Sequence, residues 1–445
     1  LGHTYFKLHE YKDAINQIKK SIELNSKDSI NLNFLGEIYL QINEHHNALK
    51  LFEEVLGFDK NNKAAILNLA KLYLNLGKTD FSEKYFKKLL EKDSLNLSYF
   101  YSLIGINKKY LTNELVDNIR NDKHNYNYTN SIYSKLILAK QAQYDKNYSN
   151  EIDYLLDAHK IYLDKNIRAK KQQFNYYKNL LPKFLSKINK IEIDINDNFK
   201  PIFIMGLPRS GTTLLEKIVV SGKETIEIGG ETDVFDKVFF SKQFIKNYDD
   251  DELFTDFKFD KESILFLRNK ILEQYKEQNL GINNLMFTDK SISSFLYIEL
   301  IQKLFPHSKI IYCYRNPLAN LIGLLRSFLP NIFWSHSLDN IFDIFNIYLN
   351  KLDQIKKKKF SNIKIINLEN LSQNPEKISK ELYNFLNLEW SKNCIQDDKK
   401  NLIFKTASNL QVRNKIVKHD LKYTKNYLQI FKKFGFDYKW LNQSI

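Results

Sequence analysis

One stretch of the chain has the residue types and spacing for anion chemistry. Pro201 to Met205 is a short apolar run. Gly206-Leu207-Pro208-Arg209-Ser210-Gly211-Thr212-Thr213 follows, and then a helical LLEKIVV segment. A buried strand, a glycine-flanked turn and a helix start aim free N–H groups and the positive helix end at one spot, where phosphate or sulfate binds well. In a nucleotide-triphosphatase loop with this glycine spacing, a Lys precedes the Ser/Thr. Here Thr212 holds that place. The missing Lys would have worked on the β- and γ-phosphates, so its absence argues against ATP or GTP hydrolysis. Arg209 lies inside the loop instead, and Ser210, Thr212 and Thr213 add hydroxyl donors. The set suits one terminal phosphate with an attached anionic group.

Arginine usage points the same way. The 445 residues include 67 Lys plus Arg, of which seven are Arg. Four of those seven, Arg209, Arg315, Arg326 and Arg413, follow residue 200 at expected strand or helix ends. In a chain that otherwise uses Lys for positive charge, Arg persists where its planar fork matters, as in phosphate binding. The net charge of +15 is spread over both halves, with no basic arm of the kind that holds nucleic acid. Two cysteines, Cys313 and Cys394, exclude a disulfide scaffold and a cysteine-rich zinc module, and suit a reducing, cytoplasmic compartment. The nine His show no metal-ligand spacing, so no metal is expected, and His307 and His336 read as surface or packing residues. With 43% hydrophobic residues the chain can bury a sizeable core, yet no run of about 18 apolar residues suggests a membrane span. It starts at Leu1 without Met, inside a repeat, and reads as a fragment.

The elements that must hold this loop begin with repeats. Leu1-Gly2 with Tyr5, Leu35-Gly36 with Tyr39, and Leu69-Ala70 with Tyr73 recur at a spacing of 34. Ala14, Ala48 and Ser82 share the register, as do Ile18, Phe52 and Phe86. The pattern resembles the tetratricopeptide repeat, in which a small residue lets a partner helix approach and large apolar residues fill the seam. Later copies decay: Leu103 is in phase, but Asn107 replaces the Tyr. Residues 131–165 read as another helix pair, and a helix near 168–187 is expected to cap the stack. All seven Pro lie at or beyond Pro182, so the first part lacks helix breakers. The expected organisation is a helical repeat domain over 1–187, a polar linker over 188–199, and an α/β domain over 200–445. Its strands are expected near 201–205, 284–288, 309–314 and 363–368, with a helix starting at Asn374-Pro375.

The second half resembles sulfotransferases that use 3′-phosphoadenosine 5′-phosphosulfate (PAPS). PIFIMGLPRSGTTLLE matches their phosphosulfate loop. In order come Gly229-Gly230-Glu231-Thr232, Phe287-Thr288-Asp289-Lys290, Leu304-Phe305-Pro306 before IIYCY, Arg315-Asn316-Pro317, Thr406-Ala407-Ser408 and Gln411-Val412-Arg413. With the repeats in front, the chain resembles bacterial tetratricopeptide-repeat sulfotransferases, and its second half is similar to tyrosylprotein sulfotransferases. The implied fold is α + α/β: a helical solenoid followed by a P-loop-like domain with a central parallel sheet.

The resemblance also implies roles. Arg209, Ser210, Gly211, Thr212 and Thr213 would hold the 5′-phosphosulfate. Arg315 would contact the 3′-phosphate. The family usually has a Ser eight residues on. Here Gly323 stands there, so Arg326 or Ser327 is expected to substitute. Gln411 and Arg413 lie in a loop that closes over the nucleotide in this family. Glu231 resembles the general base, and a carboxylate near the acceptor hydroxyl suits that task. Lys290 would meet the bridging oxygen as charge develops, and Arg209 would share that charge. The acceptor stays open among peptide, glycan, lipid and small alcohol, and the repeats are expected to bind a protein or peptide. A kinase-like phosphotransferase and a non-catalytic repeat scaffold are the competing classes.

Overall fold

Residues 1–165 of the computed structural model form helix pairs. The structure describes all residues except 122–125, 197–198, 241–256, 283–285, 397–401, 407, 409, 419 and 434–445. The first three pairs are Gly2–Lys7 with Tyr11–Leu24, Ser29–Gln41 with His45–Phe58, and Lys63–Asn75 with Thr79–Lys92. A Cβ on Gly2 would stand 2.6 Å from Ile18, and one on Gly36 would overlap Phe52, so these glycines set how closely the paired helices approach. Phe52 is fully buried and Phe86 nearly so. The period also governs the helix ends. Asp28, Asn62 and Asn96, 34 residues apart, each accept N–H bonds at a helix start. His9, Asn43 and Gly77, also 34 apart, each turn the chain between paired helices in the left-handed region. The fourth pair is shorter. Its first helix stops at Ile106, and Asn107 caps a short 3-10 turn instead of extending the helix. A longer pair follows, Tyr128–Tyr144 with Tyr148–Lys165.

The helix expected to cap this stack runs over Ile167–Asn175 and Leu181–Ile188, with a π turn, Tyr176–Leu180, between them. It does more than cap. Tyr176, Leu180, Phe184 and Ile188 share one apolar cluster with Val234, Phe239, Tyr297 and Leu300 of the second half. Tyr177 and Tyr297 donate to the buried Asp236 carboxylate (2.9 and 2.6 Å). The stretch expected as a polar tether is partly anchored: Ile195 is buried, Ile191 and Ile193 pack on the same cluster, and 197–198 lie outside the described residues. Alternate apolar residues in an extended segment share one face, which explains this.

The second half is built on a four-stranded parallel sheet in the order β2-β1-β3-β4: β1 Ile202–Met205, β2 Thr288–Asp289, β3 Lys309–Tyr314 and β4 Ile363–Asn367. β2 is shorter than the expected strand, whose residues 284 and 285 are not described; Phe287 adds one parallel bridge to Glu227. Side chains alternate between faces. Ile202, Ile204, Ile311 and Cys313 meet the helices Thr212–Val220 and Pro375–Leu386, while Phe203, Met205, Ile310 and Tyr312 join the larger core. Asn374 and Pro375 do begin that last helix, but the Asn374 amide bonds back to Asn370 instead of capping. No helix among the described residues is long and apolar enough to cross a membrane.

Candidate active site

The loop after β1 is fastened from beneath. Cys313 Sγ donates to Ser210 O (3.0 Å), Asn320 Nδ2 to Pro208 O (2.6 Å) and Arg315 NH1 to Arg209 O (3.2 Å). A Cβ on Gly206 would overlap the Ser210 hydroxyl, and Gly211 turns at φ +102° before the helix starts at Thr212. Arg209 itself is left-handed at φ 70°, a conformation that costs of order 1–3 kcal/mol in a non-glycine residue.

The Arg209 guanidinium bonds Ser408 Oγ through NH1 and Gln411 Oε1 through NH2 (2.5 Å). Its Nε is buried without a hydrogen-bond partner, as are Ser210 Oγ and Arg315 Nε. Burial, and then the neighbouring Arg315, hold Arg209 down to about 10. Buried cationic donors that lack acceptors fit a phosphate or sulfate ester, which supplies both acceptors and charge. Thr213 and Thr406 touch through their hydroxyls (3.2 Å), so Thr406, Ser408 and Gln411 all meet the loop. Ala407 and Asn409 are outside the described residues.

Facing Arg209 across the cleft are Glu231 and Lys290, with Thr212, Thr213, Thr406 and Ser408 on its walls. Lys290 Nζ lies 2.9 Å from Glu231 Oε1; the lysine side chain is 2% exposed and the carboxylate 30%. Burial opposes the Lys290 charge, but the charges of Glu231 and Glu216 outweigh it and raise its pKa. The Glu231 loop owes its place to residues that the sequence reading missed. Glu216, fully buried, accepts from Gly230 N (3.0 Å) and Thr288 Oγ1 (2.8 Å). A Cβ on Gly229 would overlap Thr288 O, so only glycine lets the loop lie this close to β2. Asp289 accepts from Thr232, Tyr275 and Ser291 hydroxyls, which ties β2 to the residues that follow Glu231 and Lys290 and to helix Lys261–Glu277.

Arg315 follows β3, with Nε 3.9 Å from Glu369. A Cβ at Gly323 would stand 3.6 Å from Arg315 NH1, so this position faces the same space as Arg315. The two expected substitutes for a serine there are committed elsewhere. Arg326 forks onto Glu151 of the repeat helix Tyr148–Lys165 (2.6 and 3.2 Å) and donates to Tyr427 OH (2.7 Å). Ser327 bonds back to Gly323 O (2.7 Å). Arg413, expected over the nucleotide, donates instead to Asn75 O and Leu402 O (both 2.7 Å). The structure therefore gathers Arg209, Thr212, Thr213, Glu231 and Lys290 in one cleft, with Ser210, Arg315 and Gln411 behind it, and gives Arg326, Ser327 and Arg413 different partners. Among the described residues no group of three His, Cys, Asp or Glu is placed to hold a metal.

Comparison with known proteins gives a coherent pattern. A sulfotransferase-family profile matches residues 201–392, and tetratricopeptide-repeat profiles match residues 1–28 and 43–105. An uncharacterized protein of Aquifex aeolicus (strain VF5) is 24% identical over 305 residues, covering 65% of this chain and 39% of that protein. The chain thus spans well under half of that relative's length. Similar solved structures include the sulfotransferase domain from the Synechococcus PCC 7002 olefin synthase, at 16% identity over 56% of this chain and 99% of that one, with a TM-score of 0.31. The sulfotransferase domain from the curacin biosynthetic pathway aligns at 17% identity over 54% of this chain and 99% of that one, with a TM-score of 0.30.

Proposed function

We propose, for a chain that joins tetratricopeptide repeats to a sulfotransferase-family domain, that it moves a sulfuryl group from PAPS to an acceptor hydroxyl. The observation that carries this reading is the meeting, in one cleft, of the Arg209 loop with the Glu231–Lys290 pair. PAPS supplies an activated sulfuryl group whose leaving group is a phosphate. Arg209, Ser210 and the first turn at Thr212 and Thr213 would hold that phosphate, with Arg209 Nε and Ser210 Oγ free of any other hydrogen-bond partner. Arg315 would take the 3′-phosphate.

Glu231 would accept the acceptor's proton as the new oxygen–sulfur bond forms and the sulfur–oxygen bond to phosphate breaks. The electron pair of the broken bond stays on the phosphate oxygen, where Lys290 and Arg209 stabilise it. Lys290 has three N–H donors, so holding Glu231 leaves others for that oxygen. Positioning and electrostatics then do most of the work, as in phosphoryl transfer. The repeats would carry a protein or peptide, and two free, buried cysteines favour a cytoplasmic setting.

Calorimetry tests the donor. The chain should bind 3′-phosphoadenosine 5′-phosphate clearly more tightly than ADP or ATP. Tighter binding of ATP that depends on Mg²⁺ would turn the reading toward a kinase.

A further inference from the structure

His159, on the repeat helix Tyr148–Lys165, meets His336, in the 3-10 turn Phe333–His336 of the second half. Both side chains are buried, and their Nδ1 atoms lie 2.7 Å apart. The other ring nitrogens face main-chain carbonyls. His159 Nε2 donates to Leu325 O (2.9 Å) and His336 Nε2 to Leu329 O (3.0 Å). A carbonyl oxygen only accepts, so each Nε2 carries a hydrogen. A neutral imidazole has one N–H, which would leave both Nδ1 atoms as bare acceptors. Two bare lone pairs do not stay 2.7 Å apart; that distance belongs to a hydrogen bond. Three contacts need three hydrogens, and two neutral rings have two. One extra proton between the Nδ1 atoms completes the set.

The surroundings favour that proton. Leu325 O lies in the last turn of helix Pro317–Ser327, where carbonyls lack intrahelical partners and the dipole is negative. Aromatic rings enclose the pair: Tyr162 is 4.4 Å from His336, and Phe328 is 5.5 Å from His159 and 5.1 Å from His336. The charge is also spread over two rings. Burial opposes charge on either ring, and a charge on His159 opposes one on His336, so a second extra proton is excluded. The other ionisable groups around the pair do not compete for it. Tyr162 and Tyr133 are phenols that burial pushes up, Arg326 forks onto Glu151, Lys178 holds Asp343, and Asp339 bears on Lys170.

The turn that the pair grips leads to the cleft. Phe328 takes φ 41°, a strained value for a residue with a side chain. Leu329 follows and lines the cleft with Glu231 and Lys290. Tyr162 OH adds a third hold from the repeat side, on Pro330 O (2.6 Å). We propose that His159 and His336 share one proton and through it position the Leu329 wall of the cleft from the repeat array. Loss of the proton breaks one of the three contacts and loosens the turn. The pair acts through the backbone at Leu329, whatever group the cleft transfers.

The test uses the full chain labelled with ¹⁵N in histidine, with His159→Gln and His336→Gln to assign the two rings. At about pH 7.5, where an ordinary imidazole is neutral, both rings should carry Nε2–H and share one proton between their Nδ1 atoms. Two neutral rings at that pH overturn the proposal. Unfolding equilibria give the sign independently. The folded pair would bind one proton, whereas two unfolded histidines bind two well below about pH 6.5 and none well above it. His159→Gln leaves one neutral buried ring, to which the new amide can donate. The folding constant of the unmodified chain relative to this variant should be level below about pH 6 and fall about tenfold per pH unit above about pH 7, until the pair releases its proton. A relative constant that rises toward about pH 6.5 and then stays level belongs to two neutral rings and overturns the shared proton. Hydrogen exchange tests the positioning. The Ile332 amide donates to the same Leu329 carbonyl (3.0 Å). Its protection, corrected for the ordinary effect of pH on exchange, should drop as the pair releases its proton. Protection unchanged through that release overturns the positioning role.

Discussion

The repeat array and the cleft solve the problem of placing residues in opposite ways. In the array each device recurs: a small residue at Gly2, Gly36 and Ala70 against Ile18, Phe52 and Phe86, a cap at Asp28, Asn62 and Asn96, and a left-handed turn at His9, Asn43 and Gly77. Each repeat leans on its neighbours, so the order is local. In the cleft nothing recurs, and the contacts join distant parts of the chain. Glu216 meets Thr288 across 72 residues, Arg209 meets Ser408 across 199, and Lys290 meets Glu231 across 59. Damage to the array should therefore read out as lost stability, and damage to the cleft as lost turnover.

The largest effect expected from one substitution is at Glu231. Glu231→Gln keeps the shape but cannot take a proton, so turnover should fall by roughly 10²–10⁴ while PAPS affinity stays near its original value. Steady-state kinetics beside calorimetry checks both, and near-normal turnover on an ordinary alcohol would move the base elsewhere. Arg326→Ala comes next and tests the border between the two regions. It strands the buried Glu151 carboxylate and should cost about 3–5 kcal/mol of stability with little change in nucleotide affinity. Denaturant melts and calorimetry separate these. Weakened nucleotide binding in a fully stable variant would return Arg326 to the 3′-phosphate. Inside the array, Asp28→Ala removes one cap and should cost about 1 kcal/mol without touching kcat. A kinetic defect of the same size at saturating substrate would show that the array and the cleft are less separate than this.

The mildest expected effect is on pH dependence. His9 and His45, in the first two repeat turns, are each held down to about 4, mainly by burial and then by Lys237 and Lys405 respectively. Their unfolded value is about 6.5, so the unfolded chain binds more protons between those limits. The stability they contribute is complete above pH 6.5 and is lost as pH falls toward 4. Thermal melts across that range should show a shallower decline in His45→Gln, and an unchanged profile would mean that His45 is protonated in the folded chain.

Much of this was legible in the sequence, for reasons that differ between the regions. The helix seams showed because one spacing repeats size at fixed positions, and the phosphate loop showed because its glycines and Arg are scarce elsewhere. Glu216 was not legible. On its own helix it resembles any solvent-facing acid, and only the arrival of Thr288 and the Gly229-Gly230 turn buries it. Arg326 was placed by counting from the Gly323 position. Three residues on is nearly one helical turn, which carries its long side chain about 4.5 Å farther along the axis, to the repeat helix that bears Glu151. The tether over 188–199 was read from its polar residues, whereas the alternate Ile191, Ile193 and Ile195 decide where it lies.

The most direct measurement is the fate of a donor labelled in its sulfuryl group, followed with the unmodified chain, with Arg209→Ala and with Glu231→Gln. Label should appear on a hydroxyl acceptor in step with release of 3′-phosphoadenosine 5′-phosphate in the unmodified chain, and in neither variant at a comparable rate. Label that leaves only as inorganic sulfate, or transfer that Glu231→Gln and Arg209→Ala leave untouched, would contradict a sulfuryl transferase working from this cleft.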